Sequence, residues 1–175
     1  MLVRKANEND IKSVAEIYSE VITAAENGKL TVGWKRGIYP TEKTAKMALK
    51  RDDLFVAEDN GSIIGTAIIN QIQVDTYKDA AWQYPAKDSE VMVLHTLAIS
   101  PRASGNGCGK NFVAFYENLA KQNGCKYLRM DTNQKNRIAR AMYSKLGYKE
   151  IGVIPCVFNG IEGVNLVLLE KRLKG

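Results

Sequence analysis

The stretch HTLAISPRASGNGCGKNF, from His95 to Phe112, decides the fold. An apolar run precedes it, a helix-like run follows it, and glycines alternate with other residues at Gly105, Gly107 and Gly109. A strand, a turn almost free of side chains and a helix together favour phosphate binding, because free N–H groups and the dipole at a helix N-terminus attract an anion. We therefore predict a phosphate site in this turn.

Two common phosphate-binding patterns do not fit these glycines. A P-loop requires GxxxxGK followed by Ser or Thr, but Ser104 stands at the first glycine and Asn111 at the hydroxyl position. A dinucleotide-binding loop requires GxGxxG, and counted from Gly105 its third glycine falls on Lys110. The spacing of the glycines therefore indicates another kind of phosphate site, or a glycine-rich turn that binds no ligand.

The composition indicates one globular domain, residues 1–175. The chain is 45% apolar and 25% charged, and its length is sufficient for a core without disulfides. The spacing of Cys108, Cys125 and Cys156 and the single histidine fit neither a metal site nor a disulfide framework, so we expect no metal and reduced thiols in the cytoplasm. No apolar signal segment or long apolar run is present, so we expect neither export nor a membrane span.

The net charge of +6 has two interpretations. A basic surface attracts nucleic acid, or the protein is an enzyme that binds an anionic ligand. The basic residues are scattered in pairs such as Arg4–Lys5 and Lys50–Arg51, without a longer run. We therefore expect an anionic small ligand and no nucleic acid.

Periodicity and turn residues predict an α/β fold. The first helix begins after Asn9 or Asp10 and carries an apolar stripe, and Asn60-Gly61 indicates a hairpin. The apolar segment VNLVLLE near the C-terminus belongs to the core or pairs with a second copy in a homodimer. We predict one mixed, mostly antiparallel sheet of six to seven strands flanked by about four helices: strands at 2–6, 54–58, 63–72, 91–99, 126–131, 148–153 and 164–170, and helices at 11–22, 42–51, 110–122 and 136–146.

Three segments together resemble the GNAT superfamily of acyl-CoA-dependent N-acetyltransferases. The segment 104–109, SGNGCG, is similar to the pyrophosphate loop [Q/R]xxGx[G/A] of that family, with Ser104 in place of Gln or Arg. NRIARAMYSKLGYKEIG, 136–152, resembles the family segment NxxAxxxYxxxGF, with Tyr148 in place of Phe. The opening VRKANENDIKSVAEIY also looks like that of the family, so the resemblance spans nearly the whole chain.

The resemblance implies acetyl-CoA as the acetyl donor. The pyrophosphate is then expected on the glycine loop, and the pantetheine arm on main-chain groups of the strand before it. The departure at Ser104 removes a long polar side chain and is expected to weaken the affinity only slightly. The residues implied in donor binding are Leu97, Ala98, Ile99, Ser104, Gly105, Asn106, Gly107, Cys108, Gly109, Lys110, Asn136 and Tyr143, with added positive charge from Arg102. Cys108 lies in the phosphate loop, away from the expected thioester, so we do not expect it to be a nucleophile.

The resemblance also implies catalytic residues. Tyr143 matches the family tyrosine that protonates the leaving sulfur; its alternative role is packing in a buried stripe. His95 alternates with Leu97 and Ile99 and is expected on their face of the strand, as a general base or as a packed histidine. A carboxylate at Glu90 or Asp88, or no protein base at all, are the further alternatives.

The acceptor is framed in this family by the loop between the first two helices and by a loop after the middle strands. These loops carry the aromatic residues Trp34, Tyr39, Tyr77, Trp82 and Tyr84, which we expect to bind the acceptor or to pack the loops. The acceptor contacts are expected first from Trp34, Tyr39 and Trp82. The first expectation is the primary amine of a small molecule, acetylated by direct attack in a ternary complex. The alternatives are acetylation of a protein N-terminus or lysine, and a non-catalytic acyl-CoA-binding sensor.

Overall fold

The computed structural model describes residues 1–174, which form four helices and seven strands. None of these helices is long and apolar enough to cross a membrane. The helices are α1 (Ile11–Glu26), α2 (Glu42–Lys50), α3 (Cys108–Gln122) and α4 (Arg137–Lys145). The strands are β1 (Leu2–Lys5), β2 (Leu54–Asp59), β3 (Ser62–Asn70), β4 (Val91–Ile99), β5 (Tyr127–Asn133), β6 (Lys149–Phe158) and β7 (Ile161–Arg172).

The seven strands form one sheet in the order β1-β2-β3-β4-β5-β7-β6. Neighbouring strands are antiparallel except β4 and β5, which are parallel. The predicted mixed, mostly antiparallel sheet with four helices is therefore confirmed.

The apolar segment VNLVLLE lies in β7, inside the sheet between β5 and β6. Its Val167, Leu168 and Leu169 are fully buried. This segment is core and offers no free edge to a second copy, since the edge strands are β1 and β6. The predicted homodimer therefore loses the support of strand pairing through VNLVLLE, and it stays an untested prediction.

Helices cover both faces of the sheet because each has one apolar face. On one face, Val14 and Ile17 of α1 and Ala45 of α2 pack on β2 and β3. On the other face, Phe112 and Tyr116 of α3 pack on the sheet, with Tyr143 of α4 in the same cluster. We call these the α1/α2 face and the α3/α4 face.

Several helices and strands begin or end at other residues than predicted. Asp10 precedes α1 directly, at one of the two predicted cap positions, but its side chain makes no cap hydrogen bond to α1. A short 3-10 turn, Glu8–Asp10, comes before α1, and the side chain of Asn7 caps that turn by accepting a hydrogen bond from the Asn9 N–H over 2.9 Å. Helix α3 begins at Cys108, because Gly107 in the left-handed region (φ +77°) leads directly into it. Strands β6 and β7 run on to the Asn159-Gly160 turn and are longer than predicted.

The polar loop 71–90 is held onto the sheet by a buried ion pair. Arg129 of β5 and Glu170 of β7 lie opposite each other in the ladder, and their charged groups are 3.5 Å apart. Glu170 accepts a hydrogen bond from the Gln83 N–H (2.9 Å), and the Arg129 guanidinium lies 4.1 Å from the centre of the Trp82 ring. These contacts anchor the largely exposed loop beside β5, and Tyr77 is its one buried residue.

Candidate active site

Strands β4 and β5 separate near the middle of the sheet. The parallel ladder between them ends at Leu94 and Met130. Just beyond, β4 contains a bulge in which Thr96 and Leu97 together oppose one residue of β3. Thr96 adopts φ +49°, which is rare for a β-branched residue. A bulge bends a strand and increases its twist, and the main-chain groups of β4 on the β5 side are left without a strand partner.

The bulge reverses the expected side of His95. Before the bulge, His95 pairs with Ile68, whose side chain belongs to the α1/α2 face. After it, Leu97 and Ile99 pack in the cluster of α3 and α4. The expectation that His95 shares a face with Leu97 and Ile99 is wrong, because the extra residue shifts the alternation by one position.

The environment of His95 fixes its protonation. Asn70 Nδ2 donates to Asp53 Oδ2 (2.8 Å), and Asn70 Oδ1 accepts from the Ile72 N–H (2.9 Å), which sets the orientation of the amide. Asn70 Oδ1 lies 3.0 Å from His95 Nε2, so Nε2 carries the hydrogen and Nδ1 has the lone pair. Burial lowers the pKa of His95 to about 4, so the ring is neutral at pH 7.

The glycine loop connects β4 to α3. Gly105 and Gly107 both have positive φ (+85° and +77°), and a Cβ at either position would meet no atom within 4 Å. No side chain caps the N-terminus of α3, so its first N–H groups are available to a ligand. Ser104, Asn106 and Lys110 are exposed beside them. The loop is thus open on its outer side and suited to an anion.

Two side chains near the loop have other partners. Arg102, expected to add charge for the phosphates, forms a 2.6 Å ion pair with Glu20 of α1. Ser100 donates to the same carboxylate over 2.7 Å, and these contacts attach the start of the loop to α1. Cys108 is buried, and burial raises the pKa of its thiol to about 11, which agrees with its exclusion as a nucleophile.

Two cavities meet in the gap between β4 and β5. The inner cavity, of about 80 Å³, is bordered by loop 32–34, β4, β5 and α4. The outer cavity, of about 560 Å³, is bordered by α2, β3 and loop 70–74. The inner cavity contains Leu97, Asn136 and Tyr143, and the outer cavity contains His95. Both are lined by the same four side chains, which we call the junction: Tyr39, Thr96, Asp131 and Phe158.

Asp131 is the charged residue of the junction. It follows Met130, the last residue of β5 that pairs with β4, and it lies in the part of β5 that pairs only with β7. Its Oδ2 accepts a hydrogen bond from the Tyr77 hydroxyl (2.8 Å). Burial raises the pKa of this carboxyl from 3.8 to about 6, and the bond from Tyr77 offsets only part of that increase. Asp131 is therefore ionised at pH 7 and is a stronger base than His95.

Tyr143 reaches the inner cavity from α4. Asn136 caps this helix by accepting a hydrogen bond from the Ala139 N–H (3.2 Å), which fixes the start of the helix that carries Tyr143. The Tyr143 ring packs edge-on against Tyr148 with 6.0 Å between ring centres. Burial, with a smaller contribution from Asp131, raises the pKa of Tyr143, so its hydroxyl remains protonated.

The three predicted acceptor aromatics have different positions. Trp34 and Tyr39 line the inner cavity and pack edge-on, 6.5 Å apart. The Tyr39 hydroxyl also forms a close hydrogen bond with Thr96 Oγ1. Trp82 lines neither cavity: its Nε1 donates to the Tyr77 carbonyl (2.9 Å), and its ring stacks on Arg129. It packs the loop that holds Tyr77, as in the packing alternative.

Sequence reasoning missed Asp131, Thr96 and Phe158, and it named Tyr77 only as one of the loop aromatics. The end of the segment KYLRMD marked Asp131 as a polar residue closing a buried strand, which was a usable signal. No local pattern marks Thr96 and Phe158, because each reaches the junction through long-range packing. The weaker base candidates Asp88 and Glu90 form a turn before β4, and neither lines the two cavities.

Comparisons with known proteins agree with this architecture. The uncharacterized N-acetyltransferase YhfO of Bacillus subtilis is 24% identical over 152 residues, covering 86% of this chain and 91% of the relative. The fold is shared with a GNAT-family acetyltransferase from Streptococcus agalactiae (TM-score 0.82, 22% identity, 99% and 96% coverage). It is also shared with yncA from Salmonella typhimurium, solved with its cofactor acetyl-CoA (TM-score 0.70, 17% identity, 100% and 95% coverage).

A family model provides the assignment. Residues 15–148 match the model of the acetyltransferase (GNAT) family. The matched range contains the glycine loop, the separated strands β4 and β5, and α4. The resemblance inferred from the sequence and the enzyme class it implied are confirmed: the chain belongs to the GNAT family of acetyltransferases.

Proposed function

We propose that this protein transfers the acetyl group of acetyl-CoA to the primary amine of a small molecule, by direct attack in a ternary complex. The observation that carries the proposal is the junction of two cavities in the gap between β4 and β5. Tyr143 stands in one cavity, His95 in the other, and Asp131 in both. Donor and acceptor can then be bound together, with the reacting atoms at the junction.

The donor side has a chemistry that fits acetyl-CoA. The open glycines and the uncapped N-terminus of α3 suit its pyrophosphate, and the free main-chain groups around Leu97, Ala98 and Ile99 suit its amide-containing arm. When bound, acetyl-CoA supplies an activated acyl group as a thioester. We propose that Asn136, the cap of α4, holds the N-terminus of that helix beside the pantetheine arm.

The catalytic roles follow from the protonation of each side chain. Tyr143 keeps its proton and donates it to the sulfur as the C–S bond breaks. His95 was predicted as the base, but a group with a pKa of about 4 takes a proton poorly from an ammonium ion. We propose instead that the His95 ring and Tyr39 position the acceptor in the outer cavity, with Trp34 packed edge-on against Tyr39.

The proposal is tested first by thermal shift and then by thiol release. Acetyl-CoA and CoA are expected to raise the Tm, whereas ATP and NAD are not; a ligand at 100 times its Kd stabilises by about 2.7 kcal/mol. Amines and short peptides are then compared as acceptors. The absence of a shift with acetyl-CoA overturns the proposal, and a shift without transfer to any acceptor supports the sensor instead.

A further inference from the structure

We propose that the acceptor is a small monoamine with an apolar body, whose ammonium group is bound by Asp131 and whose body fills an apolar entrance to the outer cavity. This inference rests on the proposed function and assigns the substrate class of the same site. It depends on three features: a carboxylate without a cationic partner, apolar side chains at the entrance, and two basic side chains on the same wall.

The first feature is the unbalanced charge of Asp131. Among residues 1–174, its carboxylate has no salt-bridge partner, and Tyr77 is the one side chain that donates to it. That bond reaches Oδ2 and leaves Oδ1 for a ligand. Buried carboxylates are ordinarily paired, because an unpaired charge is costly. A substrate ammonium would supply the missing partner at the point where the two cavities meet.

The second feature is the entrance of the outer cavity. Ile38, Met47 and Ile72 line it from three separate segments and are 47%, 52% and 56% exposed. They account for three of the eight large apolar side chains that are exposed in the described part of the chain. We call these three residues the vestibule. Apolar groups in contact with water around one cavity favour a ligand with an apolar body.

The third feature selects against a second positive charge. Lys43 and Arg51 line the outer cavity together with the vestibule. Asp53 accepts two hydrogen bonds from Arg51 (2.8 and 3.1 Å), which balances one of these charges, whereas Lys43 is in none of the salt bridges found in residues 1–174. A diamine or polyamine would place its distal ammonium near these groups, so the cavity favours a monoamine.

The chemical step uses residues on both sides of the junction. Asp131 takes one proton from the ammonium and later passes it to water. The free amine nitrogen forms a bond to the acyl carbon, and the C–S bond breaks with its electron pair on sulfur. Tyr143 gives its proton to that sulfur, and the second proton lost by the nitrogen restores the tyrosine. The products are the amide, CoA thiol and one released proton.

The test measures kcat/KM by thiol release with saturating acetyl-CoA. The acceptors are ethylamine, butylamine, hexylamine, 2-phenylethylamine, ethanolamine, putrescine, and a tripeptide with an N-terminal methionine. Each added methylene is expected to raise kcat/KM by about fourfold until the vestibule is filled. Putrescine is expected to react at least tenfold more slowly than butylamine. Rates independent of chain length, or a preference for putrescine or the peptide, overturn the inference.

Two variants separate this inference from the proposed function. Met47→Gln is expected to reduce the ratio of hexylamine to ethylamine, while the control Leu2→Gln, an equally apolar exposed residue on β1, leaves it unchanged. Asp131→Asn is expected to lower kcat by ~10²-fold or more and to remove the acid limb of the pH profile near pH 6. Retained turnover in Asp131→Asn overturns the role of this carboxylate. Loss of the acetyl-CoA thermal shift in the unmodified protein would instead overturn the proposed function.

Discussion

Replacing Asp131 by Asn is expected to make the protein more stable at neutral pH although it is also expected to lower kcat. The pKa of this carboxyl is raised by burial from 3.8 to about 6, so the ionised form is disfavoured in the folded state. At 1.36 kcal/mol for each pH unit, the upper limit of this cost is about 3 kcal/mol. Water in the adjoining cavities reduces it, and we expect Asp131→Asn to gain about 1–2 kcal/mol. Asparagine retains an oxygen that can accept the bond from Tyr77.

The sign of the pH dependence follows from the direction of this pKa. Above about pH 6 the carboxyl is ionised in both the folded and the unfolded state, and the full cost is present. Below about pH 4 it is protonated in both states, and the cost vanishes. The stability advantage of the variant should therefore grow between about pH 4 and pH 6 and remain constant above that range.

Thermal melts of both proteins between about pH 4 and pH 8, at fixed ionic strength, measure this difference. A gain of 1–2 kcal/mol corresponds to a Tm higher by roughly 2–8 °C at neutral pH for a domain of this size. The exposed Asp79→Asn removes the same charge and is expected to show no such change. A variant less stable than the parent at pH 7.5, or one with an equal difference at pH 4, would refute the argument that this carboxylate carries an unfavourable buried charge.

Four other changes test separate parts of the structure. Tyr143→Phe should lower kcat by ~10²-fold in the thiol assay with an unchanged KM for acetyl-CoA, whereas the neighbouring Tyr148→Phe should retain activity. Gly107→Ala should lose about 1 kcal/mol of stability, and it should also bind acetyl-CoA more weakly, measured as a smaller thermal shift. The control Gly61→Ala, at a similar φ of +75° in the β2–β3 hairpin, should lose stability alone. Glu170→Ala should lower the Tm by roughly 6–20 °C, since a buried charge left without its partner costs about 3–5 kcal/mol. A smaller loss would contradict the argument that the ion pair between Arg129 and Glu170 anchors loop 71–90. His95→Ala should raise the acceptor KM without moving the acid limb of the pH profile, and loss of that limb would restore the histidine as the base.

Much of the architecture was predictable because it depends on local signals. Alternating apolar residues, glycine turns and the Asn136 cap define elements over a few residues. The glycine loop with the Asn-Tyr segment of α4 indicated the family, which the family model confirms. The acceptor side was less predictable. Trp34 and Tyr39, predicted to contact the acceptor, line the inner cavity, and that contact stays a prediction. Trp82 lines neither cavity, because its contacts with Arg129 and Tyr77 depend on the ion pair between distant strands.

The prediction that His95 lies on the same face of β4 as Leu97 failed for a different physical reason. Alternation along a strand predicts side-chain direction only while the ladder is regular. The sequence HTLAIS contains no glycine that would mark an irregularity, and the left-handed residue is Thr96. The opening between β4 and β5 and the unpaired state of Asp131 likewise depend on pairing between strands, which no single segment encodes.

The buried ion pair between Arg129 and Glu170 limits how the loops of this enzyme can be exchanged. Arg129 precedes Asp131 by two residues on the same strand, and it fixes the loop that brings Tyr77 to Asp131. A chimera that exchanges loop 71–90 alone would lose its anchors, so loop, β5 and β7 have to be transplanted as a unit. Two vestibule residues, Ile38 and Met47, lie outside this unit, whereas Ile72 is part of the loop. Substitutions at Ile38 and Met47 can therefore change the cavity entrance without disturbing the loop that holds Tyr77 against Asp131.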